Sequence, residues 1–209
     1  LERNRHKPER LPTFKVSNWL PRVAAAGFDG IELWENHAAL ADEAELAALE
    51  ASPVPITVLN SYCTFADDSG TPARAAQLAQ RLGATAIKWN FNRGEALSPA
   101  EAKAVRAWRA ALPPEMTLLC ECHPGTPAEQ PERALTIFEE LGLEDYRYIV
   151  HPLGDLERTR GFLDRFSSLV THAHMQARDN QRNCLRLDER PYEVRRALDL
   201  LDDYGFKGS

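Results

Sequence analysis

The stretch Met116-Thr117-Leu118-Leu119-Cys120-Glu121-Cys122-His123-Pro124-Gly125-Thr126 governs the reading of this chain. It opens with a short apolar run of strand length and closes on Pro-Gly, a turn signal. Side chains alternate faces along a strand, so Glu121 and His123 point one way and Cys120 and Cys122 the other. A carboxylate beside an imidazole at the C-terminal end of a buried strand can hold a divalent metal, move a proton, or do both. The same pair can also be an ion pair that satisfies only itself.

Outward from this strand, the pattern repeats. The spacing predicts strands over 28–34, 56–62, 84–91, 116–123, 146–151 and 169–176. Helices are expected over 17–26 (with Ser17 as N-cap), 38–50, 71–82, 98–112, 131–141, 156–166 and 191–204. Ser98-Pro99-Ala100-Glu101 carries the cap, the first-turn proline and the acidic residue of a helix start. Strand and helix alternate at roughly 25–30 residues, the length of a βα unit, which implies a parallel sheet with helical crossovers. No Gly-rich phosphate loop follows a strand, which disfavours an open dinucleotide-binding sheet. Polar residues end nearly every strand, which favours a (β/α)8 TIM barrel with its site at that end. Only six strands are found, so the expectation is a single TIM-barrel domain over 1–209 that lacks its first and last strands. Open sheet edges would then favour association into a homo-oligomer.

Composition narrows the function classes. The net charge of −6, with both signs interspersed, argues against a nucleic-acid surface. The basic cluster in Leu1–Arg10 reads as a loop or a solvated arm. No apolar run reaches the length of a membrane span. Cys63, Cys120, Cys122 and Cys184 do not form the paired spacing of a zinc site and read as cytosolic thiols, which places the chain in the cytoplasm. The two strand cysteines are expected to pack beneath helices.

Five further groups of polar residues sit at predicted strand ends. His172 and His174 share a face in Thr171–Asp179, and paired imidazoles are costly to bury without partners or a metal. His151 ends its strand before Pro152, and Asp155 is open equally to a site role and to capping the next helix. Lys88, Asn90 and Asn92 share a face, with Lys88 and Asn90 suited to hydroxyl or anion contacts, while Trp89 and Phe91 face the core. Asn60 holds the matching position on its own strand. Trp34 can floor a sugar pocket or simply pack, and His37 reads as a helix cap. Arg178, four residues past His174, can hold a distal hydroxyl or phosphate or lie on the surface.

These residues resemble those of the xylose isomerase-like (β/α)8 barrels, the sugar-phosphate isomerase/epimerase group that includes endonuclease IV-type enzymes. The resemblance rests on Gly27-Phe-Asp-Gly-Ile-Glu-Leu-Trp34, on Leu118–Thr126, on Thr171-His-Ala-His-Met-Gln176 and on the closing Tyr204–Ser209. It implies a cytoplasmic, metal-binding isomerase of carbohydrate metabolism. In that group one divalent ion is held by a Glu, an Asp, a His and a final Glu. Glu121 matches the first and His174 the third, His151 stands where an Asp is usual, and the final Glu would follow Ser209. A nitrogen-rich set shifts the preference from Mg towards Mn, Zn or Fe.

The reaction implied is proton transfer next to a carbonyl of a small carbohydrate, through an enediolate. Glu121, His123 and Lys88 are the expected catalytic residues. Trp34, Asn60, Asn90, His172 and Arg178 are the expected substrate contacts, and Glu121, His151 and His174 the metal ligands. A degenerate sugar-binding barrel and a metal-dependent hydrolase or lyase on the same fold are the alternatives.

Overall fold

The computed structural model describes residues 9–65, 70–179, 181 and 183–209. Residues 1–8 of the basic N-terminal cluster lie outside that description. The chain forms two compact units, Leu1–Trp89 with Ala107–Leu118, and Asn90–Arg106 with Leu119–Ser209.

The first unit begins with a 3-10 turn at Val16–Asn18 and a short helix α1, Leu20–Ala25. Strand β1, Ile31–Trp34, is followed by helices α2, Asn36–Ala39, and α3, Glu43–Glu50. Strand β2, Ile56–Asn60, helix α4, Thr71–Arg81, and strand β3, Ala86–Trp89, complete the run. The pairs β1–β2 and β2–β3 are parallel. Thr117 N–H, at the start of the next strand, donates to the Thr85 carbonyl (2.9 Å) and continues the ladder. Leu33, Leu59, Ile87 and Trp89 are almost fully buried. Phe65, Trp89 and Trp108 pack ring against ring with centroids 5.5–6.2 Å apart. Such offset and edge contacts add to the area that burying large rings removes from water.

Three boundaries differ from the sequence expectation. Ser17 does not cap a helix, because its hydroxyl donates to Glu45 Oε2 (2.5 Å) and its N–H to Glu45 Oε1 (3.0 Å). The run 38–50 is two helices, since Asp42 breaks it and caps α3 through Glu45 N–H (2.8 Å). The first strand starts at Ile31, leaving Phe28 largely exposed. Gly30 precedes it where a Cβ would come within 2.7 Å of the Thr57 side chain, so only glycine lets these backbones approach.

Helix α5, Pro99–Ala111, and strand β4, Thr117–Glu121, run from one unit's residues into the other's. The second unit continues with helix α6, Pro131–Leu141, strand β5, Arg147–Val150, helix α7, Leu156–Phe166, strand β6, Val170–Ala173, and helix α8, Pro191–Asp203. The pairs β4–β5 and β5–β6 are parallel. Phe138 is completely buried against Phe91, Tyr146, Tyr148 and Phe166. Burial pushes the Tyr148 phenol well above its ordinary range.

Six parallel strands in chain order with helices between them make this the TIM-barrel class, with fewer strands than eight among the described residues. At the C-terminus Ser209 N–H donates to Thr171 O (3.2 Å) and Ala173 N–H donates to Ser209 O (2.8 Å). That is the bonding of a further parallel neighbour for β6. Gly208 passes so close to the Thr171 carbonyl that a Cβ would overlap it.

Candidate metal centre

Parallel barrels gather their chemistry where strands end. In the second unit Glu121 is the last residue of β4, His151 follows β5 and His174 follows β6. The β5–β6 ladder extends one step further, with His174 N–H donating to Val150 O (2.9 Å), and this fixes the two histidines side by side. Their rings lie 5.0 Å apart at 73°. His151 Nε2 is 2.9 Å and His174 Nδ1 3.5 Å from the same oxygen, Glu121 Oε1. One ligand atom from each of the three residues falls within 4.8 Å of the others.

The second carboxylate oxygen is held from elsewhere. Asn90 Nδ2 donates to Glu121 Oε2 (3.1 Å) and to the Glu121 carbonyl (2.9 Å). Asn90 therefore grips Glu121. Its loop is anchored by Glu101, whose Oε1 accepts from Asn92 N–H (2.8 Å). Ser98 caps α5 through Glu101 N–H (3.1 Å) as expected, but the glutamate side chain turns away from that cap to the loop. Burial raises the Glu101 carboxyl above its ordinary range, and the Asn92 hydrogen bond opposes this.

Whether the three residues suit a cation can be judged from one atom. His151 Nε2 is buried and makes no hydrogen bond among the described residues, although Glu121 Oε1 lies 2.9 Å away. The contact is within ion-pair distance but not aligned as a hydrogen bond. A buried ring nitrogen left so is costly unless something binds it. One carboxylate oxygen and two imidazole nitrogens converging at strand ends form a donor set for a borderline divalent ion.

The other expected residues distribute as follows. Strand β4 stops at Glu121, so the alternation that would align His123 with it is not continued. His123 is exposed and its Nδ1 lies 2.9 Å from the carbonyl of its neighbour Pro124. His172 packs against His174 (5.2 Å between rings), and its Nδ1 lies 2.8 Å from Ser209 Oγ. Arg178 is exposed and donates to Gln176 Oε1 (2.8 Å). Asp155 caps α7 through Arg158 N–H (2.9 Å), the capping reading of that residue.

Trp34, Asn60 and Lys88 belong to the first unit. They are register partners across β1, β2 and β3, so they lie in one row on one face. Lys88 is 1% exposed, with its Nζ 4.2 Å from the centre of the Tyr62 ring. Asn60 Nδ2 donates to Glu32. Buried Glu35 accepts from Ser61 Oγ (2.5 Å) and pairs with Arg74 (3.7 Å). His37 sits within α2 and packs on Trp34 and Phe14. A cavity of about 450 Å³ lies beside it, lined by Leu11, Phe14, Leu40, Asp42 and Glu45 among others.

Cys120 and Cys122 are buried free thiols, as is Cys63, and Cys184 is exposed. Among the described residues no helix is long and apolar enough to cross a membrane.

No protein-family model matches the sequence, and comparison with the curated proteins gives no match. Solved structures do match, and what they share with this chain is the TIM-barrel fold. A xylose isomerase-like TIM-barrel protein from Mycobacterium smegmatis, in complex with magnesium, is similar over 92% of this chain and 79% of its own. That match has 19% identity and a TM-score of 0.61. The probable 3-DHS dehydratase AsbF of Bacillus anthracis is similar over 92% and 86%, with 18% identity and a TM-score of 0.65. The 3-keto-D-glucoside 4-epimerase YcjR of E. coli is similar over 95% and 86%, with 16% identity and a TM-score of 0.64.

Proposed function

We propose that this chain is a divalent-metal-dependent isomerase or epimerase of a small carbohydrate, working by proton transfer next to a carbonyl. The observation that carries the reading is the convergence of Glu121 Oε1, His151 Nε2 and His174 Nδ1. These three residues would hold the ion. Bound there, a divalent cation supplies Lewis-acid polarisation of a carbonyl and of its neighbouring hydroxyl. The magnesium in the M. smegmatis relative and the epimerase named among the similar structures support the assignment.

The remaining chemistry belongs to the protein. Asn90 fixes Glu121 through Oε2, so that Oε1 faces the two imidazoles. Preorganising a carboxylate in this way spares the cost of turning it during the reaction. Glu121 is assigned as ligand and as the carboxylate that takes the proton from the carbon beside the carbonyl. His172, half-buried next to His174, would orient a substrate oxygen.

The test is elemental analysis of the purified protein beside Glu121→Ala and His174→Ala, followed by incubation with aldoses and ketoses in D2O. Stoichiometric metal lost in both variants, with deuterium entering the substrate next to its carbonyl, is the expected result. Absence of metal from the wild-type protein after loading with Mn²⁺ or Zn²⁺ would overturn the assignment.

A further inference from the structure

The strand ladder that holds Glu121 ends with it. Strand β4 stops at Glu121, whose register partner on β5 is Ile149. The next carbonyl, that of buried Cys122, accepts instead from Arg158 Nη2–H of helix α7. His151 follows β5, and its carbonyl accepts from Gly154 N–H (3.0 Å), so the chain turns at once into α7. Arg158 is the third residue of that helix. One side chain thus joins the residue after Glu121 to the helix that follows His151. All of these residues lie in the second unit.

The side chain is placed there at a cost. A cation in the first turn of a helix meets the positive end of the macrodipole, where acidic residues are favoured. Arg158 makes no ion pair with a carboxylate among the described residues. Its Nε is buried and makes no hydrogen bond among them. Its guanidinium carbon lies 5.8 Å from the centre of the Phe162 ring, near the outer limit of a cation–π contact. A residue that opposes the helix field and leaves a buried donor unpaired is not explained by the stability of α7. Departures of this kind from local preference fall at functional sites, where the rest of the fold compensates for them.

We propose that Arg158 is a positioning residue of the metal centre, an inference that rests on the metal reading given above. By tying the Cys122 carbonyl to α7, it sets how far the Glu121 carboxylate stands from His151 Nε2, a separation of 2.9 Å. Asn90 orients the carboxylate itself, and Arg158 fixes the backbone that carries it. Ligands whose spacing is set before an ion arrives bind it more tightly than ligands that must first be gathered.

The experiment is titration of the whole metal-free chain with Co²⁺, read by competition with a chelating dye and by the visible spectrum at saturation. Arg158→Met keeps an apolar stem against Phe162 and removes the donor to Cys122. It should weaken binding about tenfold, the lower end of the range for partners behind a ligand, and change the spectrum of the loaded chain. Arg158→Lys restores a donor and should fall between Arg158→Met and the wild type. Leu163→Ala, a buried position on the same helix, controls for destabilisation of α7 and should lower the melting temperature while leaving affinity and spectrum unchanged. Were Arg158→Met not to fold, Arg158→Gln, whose shorter amide retracts from Cys122, replaces it under the same criteria. A lower melting temperature with wild-type affinity and spectrum would make Arg158 a structural residue only and overturn the proposal. The same spectral change in Leu163→Ala would overturn it too. A wild-type chain that binds no Co²⁺ overturns the metal reading and this proposal together, whereas wild-type binding that the Arg158 variants match overturns this proposal alone.

Discussion

Asn90 donates one amide group to two oxygens of Glu121, its carbonyl and its carboxylate Oε2. This ties the side chain at the end of β4 to its own backbone and leaves Oε1 for His151 and His174. A metal ligand held by such an outer partner is more rigid and binds more tightly.

Asn90→Ala should therefore lower the affinity for Mn²⁺ or Zn²⁺ by about 10–100-fold without removing a ligand, the range for loss of a partner behind a ligand. Competition with a chelating dye measures this. An unchanged affinity would show that Glu121 needs no support from Asn90.

Glu101 provides a test by pH. Its carboxyl is raised by burial, so from the ordinary value of 4.5 upward the folded chain holds a proton that the unfolded chain has released. Stability present below that value is lost as pH rises through the raised folded pKa, and it stays lost above it. Glu101→Gln keeps an acceptor for Asn92 N–H and should remove this loss. Urea denaturation across the acid range should show a flatter profile for the variant, with the gain at neutral pH. A profile parallel to the wild type would refute it.

Asp155→Ala should cost about 0.5–2 kcal/mol, the range for losing an N-cap, because the bond to Arg158 N–H is removed. Metal content should remain at the wild-type level. Loss of metal in this variant would return Asp155 to the site.

The cysteines should divide by reactivity. Burial pushes the Cys63 thiol up to about 12, and Cys120 and Cys122 are also enclosed, whereas Cys184 is exposed. A thiol reagent at pH 8 should modify Cys184 rapidly in the native chain and the other three only in denaturant. Rapid native labelling of Cys63, read by mass spectrometry, would contradict this.

The sequence determined the order of elements. Periodicity, Pro and Gly placed six strands and the helices between them, since hydrophobic alternation and turn chemistry are local properties. It also determined which residues end the strands, and so brought Glu121, His151 and His174 to attention from three separate segments. Trp34, Asn60 and Lys88 were each marked near a strand end, and the register puts them in one row.

Tertiary structure decided which of these residues meet. The expected strand runs two residues past Glu121, and only the end of the ladder shows that the alternation aligning His123 with it has stopped. Nothing local in the sequence says that the Asn90 amide will grip a carboxylate one strand away. Glu101 carries the sequence mark of a helix cap, yet its side chain serves the loop before the helix. Arg10 lies in an unpatterned segment, and its place over Tyr62 and Trp34 depends on contacts far along the chain. Local propensity records where a residue sits on its own element. Long-range packing and register set its partners, and those are properties of the folded chain.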